Sequence, residues 1–262
     1  MTSKSILNSY EYLSWPEVKN IADNKRSTII WPFGAVEQHG PHLPLATDSI
    51  FIDEIINEVL DLIPKDIPLK KIPTQYIGFS PEHAGFEGTI TLSSGLLISM
   101  IVEIGKQISD IGFKRLILLN AHGGQISLLN TAARELRSLT PNLSIFPCFL
   151  WSGVKGLNEV LTASELENGL HASLAETSLM MSLKPELVGE ERPCEGIPDN
   201  KPNGWSLEGD APLAWFTEDL SKSGVIGDSR GANLDLGDKL RRLLVDHWYN
   251  MILGLMSSDW PN

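Results

Sequence analysis

The sequence predicts an α/β fold of three layers, a mostly parallel sheet flanked by helices, and three observations lead there. Apolar runs alternate regularly with amphipathic helical patterns. The runs are continuously apolar rather than alternating with polar residues, as strands buried on both faces must be. The segments between them are long enough for the crossover helices that parallel strands need.

Taken in order, residues 27–33 (STIIWPF) read as a buried strand, and 49–63 (SIFIDEIINEVLDLI) as an amphipathic helix closed by Pro64. Residues 69–76 (LKKIPTQY) form a weaker strand pattern. Residues 96–113 read as a helix ending near Gly112, and 114–120 (KRLILLN) give the clearest strand in the chain. A helix through LLNTAARELRSLT is stopped by Pro141, and 143–151 (LSIFPCFLW) form the next strand. From about 184 to 232 the chain is rich in Pro, Gly, Asp and Ser, which suggests a lid, a binding loop or an oligomer contact. LDLGDKLRRLLVDHWYNMILGLM closes the chain as an amphipathic helix. With no internal repeat or evident boundary, residues 1–262 read as one domain.

Composition excludes several functions. The formal charge of −12 argues against a nucleic-acid partner, which requires clustered Lys and Arg. No apolar run approaches the roughly 20 residues of a membrane span. The N-terminus lacks the apolar stretch of a signal peptide, and the two cysteines cannot make a disulfide framework. A cytoplasmic setting is the expectation.

In open α/β sheets, ligands bind beyond the carboxyl ends of the strands, and three polar clusters sit at such places. The densest is GAVEQHGPHLPLATDS, residues 34–49, directly after the first strand. Glu37 and His39 are two apart, so in extended backbone they share a face. Asp48 opens the next helix, where it could also serve as a helix cap. The second cluster, NAHGGQ (120–125), puts His122 at the end of a strand, and Gly123 and Gly124 would let backbone approach a ligand. A plain strand-to-helix turn is the simpler reading of that motif. The third, HASLAETS (171–178), carries His171 and Glu176, although Ser173 and Glu176 also have capping-box spacing. Were Glu37, His39, Asp48, His122 and Glu176 to converge, three carboxylates and two imidazoles would suit two divalent ions of borderline hardness. Such ions, about 3.5–4 Å apart, can hold a hydroxide nucleophile and polarise a carbonyl, with a nearby histidine as proton donor. His171 is the candidate donor. His42 could support the cluster, His83 lies in the loop GFSPEHAGFEGT, and His247 reads as structural.

The motifs GAxEQHGPHLPLxTD, the NxHGGN-like turn, HAxxxETS and a late GVIGD segment together resemble the creatininase family of amidohydrolases, from about Trp31 to Gly237. The resemblance implies a binuclear metal centre (Zn or Mn, with Fe as an alternative) and a homohexamer. It makes Glu37, His39, Asp48 and His122 metal ligands with Asp48 bridging, His171 catalytic, and Ser80 part of a substrate-contacting loop with Gly123 and Gly124 beside it. It also implies hydrolysis of a non-peptide C–N bond in a small linear or cyclic amide. Formamide deformylation or peptide processing within the same family, and a non-catalytic binding role, are the alternatives. True creatininases carry a Tyr-Glu pair where Gly123 and Gly124 stand, so the fifth ligand must come from elsewhere, and Glu176 is the expected replacement. They also carry a Trp-Asp pair where Glu167 and Asn168 stand, which argues against creatinine itself.

Overall fold

A computed structural model describes residues 8–198, 201–209 and 211–261. Its central sheet contains β1 (Thr28–Phe33), β2 (Leu69–Lys71), β3 (Arg115–Asn120) and β4 (Ser144–Phe149). All pairings are parallel, in the order β2-β1-β3-β4. The seven main helices are α1 (Trp15–Ala22), α2 (Thr47–Leu62), α3 (Ser94–Ile111), α4 (Ile126–Leu139), α5 (Ala163–Asn168), α6 (Leu174–Leu183) and α7 (Leu234–Ser257). A two-residue antiparallel ribbon joins β5 (Cys194–Glu195) to β6 (Gly227–Asp228).

Strand alternation divides the core in two. Ile30, Ile117 and Leu119 face α2, α6 and α7, packing against Phe51, Ile55, Met180, Leu244 and Trp248. Ile29, Trp31, Phe33, Leu116 and Leu118 face the opposite side, against Leu97 and Ile101 of α3 and Leu129, Ala132 and Leu136 of α4. Helices on both faces explain why β1 and β3 are apolar at nearly every position. β4, at the sheet edge, is only half-buried along its length.

The expected strand over 69–76 is shorter than its pattern suggests. Pro73 has no N–H to offer the ladder, so β2 stops at Lys71, and contact resumes where Gln75 N donates to Pro32 O at 2.9 Å. Helix α3 ends as expected, on Gly112 at φ +114°, a left-handed position that glycine adopts without strain. Because β1 leads to β2 on one side while β3 lies on its other side, the strand order reverses between β1 and β3. The crevice beyond their carboxyl ends is where this topology leaves room for a ligand.

Candidate metal centre

The loop after β1 folds back on itself, with Glu37 N donating to Leu45 O at 2.9 Å. This turns Glu37, His39 and, one loop later, Asp48 inward, where all three are buried. Asp48 is the second residue of α2 and makes no cap. Its two oxygens instead face two different imidazoles: Oδ1 lies 3.6 Å from His39 Nε2, and Oδ2 lies 3.4 Å from His122 Nδ1. His122 Nδ1 is also 3.1 Å from Glu37 Oε1. Asn120 fixes the turn that delivers His122, its Oδ1 accepting from His122 N at 2.9 Å and its Nδ2 donating to His122 O at 2.6 Å.

Glu176 approaches from α6. Its carboxylate accepts from Ala172 N at 2.7 Å, while Ser173 makes no cap, so the capping box suggested by the spacing does not form. Ala172 is the one non-glycine described residue with positive φ, +52°, and it is fully buried between His171 and Glu176. Such strain persists only where the surroundings enforce it and clusters at functional sites. His39, His171 and Glu176 bring ligand atoms within 4.8 Å of one another, as do Glu37, His39 and Asp48, and Glu37, His83 and His171.

Backbone carbonyls assign the histidine protons, because a carbonyl only accepts. His39 Nδ1 donates to Glu37 O at 3.2 Å, so Nε2 is the nitrogen that faces the carboxylates. His171 Nε2 donates to Gln38 O at 2.7 Å, leaving Nδ1 bare and 3.9 Å from Glu37 Oε1. His122 Nε2 donates to Phe79 O at 3.1 Å, so Nδ1 is the nitrogen that faces the carboxylates, which push the imidazole's pKa well up against the opposing effect of burial. His83 differs. Gln38 Nε2 also donates to Gly224 O, which fixes the amide orientation, and so it donates to His83 Nδ1 at 2.9 Å. The His83 proton is thereby on Nε2, 3.4 Å from Glu37 Oε1.

Burial dominates the electrostatics. It pushes the Glu37 carboxyl up, against the pull of His122. Burial opposes ionisation of Asp48 too, but His39 and His122 outweigh it and hold that carboxyl down. Burial also disfavours charge on His39, yet Asp48 and Glu37 push it up to about 9. Glu176 rises to about 7, chiefly by burial. His171 is driven well down, by burial first and then by His83 and His39. Both Glu37 carboxylate oxygens, His39 Nε2 and Asp48 Oδ2 are buried with no hydrogen-bond partner. Buried polar atoms are ordinarily satisfied, and these four face one another across one small space. Carboxylate oxygens and bare imidazole nitrogens are the donors that borderline divalent ions take, so the residues fit a metal centre.

The other expected residues fall as follows. Ser80 is fully buried, its hydroxyl 3.4 Å from His122 Nε2. Gly123 and Gly124 line an open cavity of about 740 Å³ beside the cluster, together with Glu82, Leu207, Trp215 and Phe216. The 184–232 segment thus reaches the site, and its Thr217 Oγ1 lies 2.7 Å from His83 Nδ1. Glu167 instead faces Lys201, 3.7 Å away. His42 is held outside the cluster by Thr177 Oγ1 at 2.8 Å, and His247 packs edge-on to Trp248.

Sequence reasoning ranked His83 low and did not single out Glu82 or Gln38. His83 stacks on His171 with ring centroids 4.1 Å apart. The signal available was the Glu82-His83 pair, an acid and an imidazole in the loop that follows β2 at the same sheet edge. Gln125, which the sequence reading did not single out, joins three segments: Nε2 donates to Gly34 O at 3.0 Å and Asn120 Oδ1 at 2.9 Å, and Oε1 accepts from Phe79 N at 3.1 Å.

Residues 11–252 match the family model Creatininase, described as creatinine amidohydrolase. A mycofactocin precursor peptide peptidase of Mycobacterium tuberculosis (strain CDC 1551 / Oshkosh) is 29% identical over 233 residues, covering 84% of this chain and 82% of its own length. The creatinine amidohydrolase of Pseudomonas putida is 26% identical over 253 residues, covering 89% and 91%. The solved structure named "Creatininase Mn" superposes with a TM-score of 0.74 at 20% identity, over 96% of this chain and 99% of that one. With a family match over nearly its whole length, the chain belongs to the creatininase family of hydrolases.

Proposed function

We propose that this chain is a metal-dependent amidohydrolase that cleaves a non-peptide C–N bond in a small linear or cyclic amide. The observation that carries the reading is the set of unpartnered buried donor atoms on Glu37, His39 and Asp48. Two ions per chain, Zn or Mn, fit the placement of Asp48, whose oxygens address His39 and His122 separately. Glu37, His39, Asp48, His122 and Glu176 would hold them.

When bound, such ions supply Lewis acidity toward a carbonyl oxygen and make a nucleophile available at neutral pH. The residues around them do the rest. His171, pinned through Nε2 by the Gln38 carbonyl, can turn only Nδ1 to the reaction. It can take up there the proton released by the attacking water and deliver it to the departing nitrogen as the C–N bond breaks. His83 places its Nε2 3.4 Å from Glu37 Oε1 without forming a hydrogen bond and bounds that carboxylate on one side. Gly123 and Gly124 let the substrate lie against backbone, and Ser80 supports His122 from beneath. The Glu167–Lys201 pairing leaves creatinine-type contacts unmade, so creatinine is not the proposed substrate.

A second reading, peptide processing, is favoured by the similarity to the mycofactocin precursor peptide peptidase and by the open, apolar-walled cavity. A cytoplasmic, reducing setting suits Cys148 and Cys194, both free thiols, and a hexamer is proposed from the resemblance alone, to be checked by light scattering. Among the described residues no helix is long and apolar enough to cross a membrane.

Elemental analysis of protein purified without chelator, before and after adding Zn²⁺ or Mn²⁺, tests the metal reading, with about two ions per chain expected. Parallel assays on lactams, formamides, small amides and short peptides then separate the two substrate classes. One ion or none after loading would remove the two-ion arrangement and restore the non-catalytic alternative.

A further inference from the structure

Gly124 lacks a side chain, and the space this leaves beside His122 is filled by a carboxylate from another loop. A Cβ on Gly124 would overlap Glu82 Oε1 and sit 2.7 Å from His122 Nε2. At neighbouring Gly123 the nearest atom to such a Cβ is 3.6 Å away, which is ordinary contact. The intolerance is therefore specific to the position facing Glu82. Glu82 Oε1 itself lies 3.2 Å from His122 Nε2, and its side chain is only 13% exposed.

We infer that Glu82 is a positioning residue for His122, a carboxylate placed against the imidazole edge opposite the metal-facing nitrogen, in the space Gly124 leaves open. The two nitrogens of His122 face different partners. Nδ1 looks toward Glu37 and Asp48, while Nε2 looks toward Glu82 and the Phe79 carbonyl. Glu82 therefore stands behind the ring and is not a ligand in this arrangement. A carboxylate accepting from the far N–H of a ligating imidazole fixes its tautomer and raises its basicity, and losing such a partner typically costs about 10–100-fold in metal affinity. The Phe79 carbonyl alone would set the tautomer, and Glu82 adds the negative charge. Gly124 thus does more than omit a side chain: any residue with a Cβ would push that carboxylate away. Gly124→Ala would crowd both the Glu82 carboxylate and His122 Nε2 itself, so Glu82→Gln is the variant that isolates the carboxylate.

The inference rests on reading Glu37, Asp48 and His122 as a metal site, and the test separates the two. Zinc affinity is measured by competition with a chromophoric chelator, and the His122 Nε2–H resonance is followed by NMR in metal-free protein. Glu82→Gln and Gly124→Ala are each expected to weaken the tighter zinc site about 10–100-fold and to move that resonance upfield. Glu82→Asp should recover part of the loss. Affinity in Glu82→Gln within about twofold of wild type, well short of the usual loss of such a partner, would overturn the inference. If wild-type protein binds no zinc, the metal reading itself fails. The resonance then decides the role of Glu82 alone: an upfield shift in Glu82→Gln supports it, and an unmoved one ends it.

Discussion

Two buried carboxylates, Glu37 and Glu165, lie on opposite sides of the line between structure and chemistry. Burial pushes both up. Glu165, on α5, is fully engaged: its oxygens accept from Ser173 Oγ and from Ala175 N, each at 2.8 Å, tying α5 to the start of α6. Glu37 has no hydrogen-bond partner for either oxygen and faces four imidazoles instead. A buried carboxylate satisfied by backbone and hydroxyl donors holds the fold together. One left without a hydrogen bond among imidazoles costs stability unless something binds there. The difference separates the metal centre from the scaffold more sharply than burial or charge does.

The strongest way to break the comparison is at Asp48, which shares the position of Glu37. Asp48→Asn should reduce turnover about 10²–10³-fold, the scale seen when a transition-state stabiliser is removed. Metal-free Asp48→Asn should melt below metal-free wild type, because His39 and His122, which hold the Asp48 carboxyl down, lose their charged partner. Normal turnover would sink the mechanism, and an unchanged melting temperature would show that the two imidazoles do not stabilise the Asp48 charge.

Removing metal is the next test. If ions bind only the folded protein, saturation at about a thousand times Kd stabilises by roughly 4 kcal/mol per site. A strong chelator should therefore lower the melting temperature of wild type clearly and leave Asp48→Asn nearly unmoved. Equal shifts in both would place the bound metal elsewhere.

Glu165→Ala should show the opposite pattern. It strands the Ala175 N–H and the Ser173 hydroxyl, for a loss of about 1–3 kcal/mol in urea denaturation, with zinc stoichiometry unchanged. Loss of metal in this variant would show that the two carboxylates are not separable roles.

The smallest effect concerns an exposed-side carboxylate. Glu195 accepts from Ser221 Oγ at 2.9 Å and from the N–H groups of Lys222 and Ser223 at 3.1 and 2.8 Å, which hold its carboxyl down to about 2. A folded pKa below the unfolded value gives stability that is complete above the ordinary carboxylate range and lost as pH falls toward about 2. Over that window wild type should lose slightly more stability than Glu195→Gln, read as urea midpoints at stepped pH. A steeper decline in the variant would reverse the sign and discount the contact.

Much of the site was legible because sequence places residues relative to strand ends. Glu37, His39 and Asp48 follow β1 within one short stretch, and His122 follows β3 directly, so a parallel sheet brings them to one edge. Glu176 and His171 were legible through motif order, although spacing alone equally allowed a capping box. Residues from the loop after β2 were harder to read. Glu82 and His83 owe their position to β2 being β1's neighbour and to Gln125 holding Phe79 N, a long-range contact that no local pattern reports.

By itself, the sequence determined the layered α/β architecture, the carboxyl-edge location and the inventory of ligand-type residues, because apolar periodicity and strand-end position are local properties. Only the tertiary structure decided which nitrogen of each histidine faces the carboxylates, that His83 stacks on His171, and that Glu82 stands behind His122 where Gly124 leaves space. Those facts depend on which backbone carbonyls and loops come within about 3 Å of a ring, the reach of a hydrogen bond, and that is fixed by packing between segments far apart in the chain.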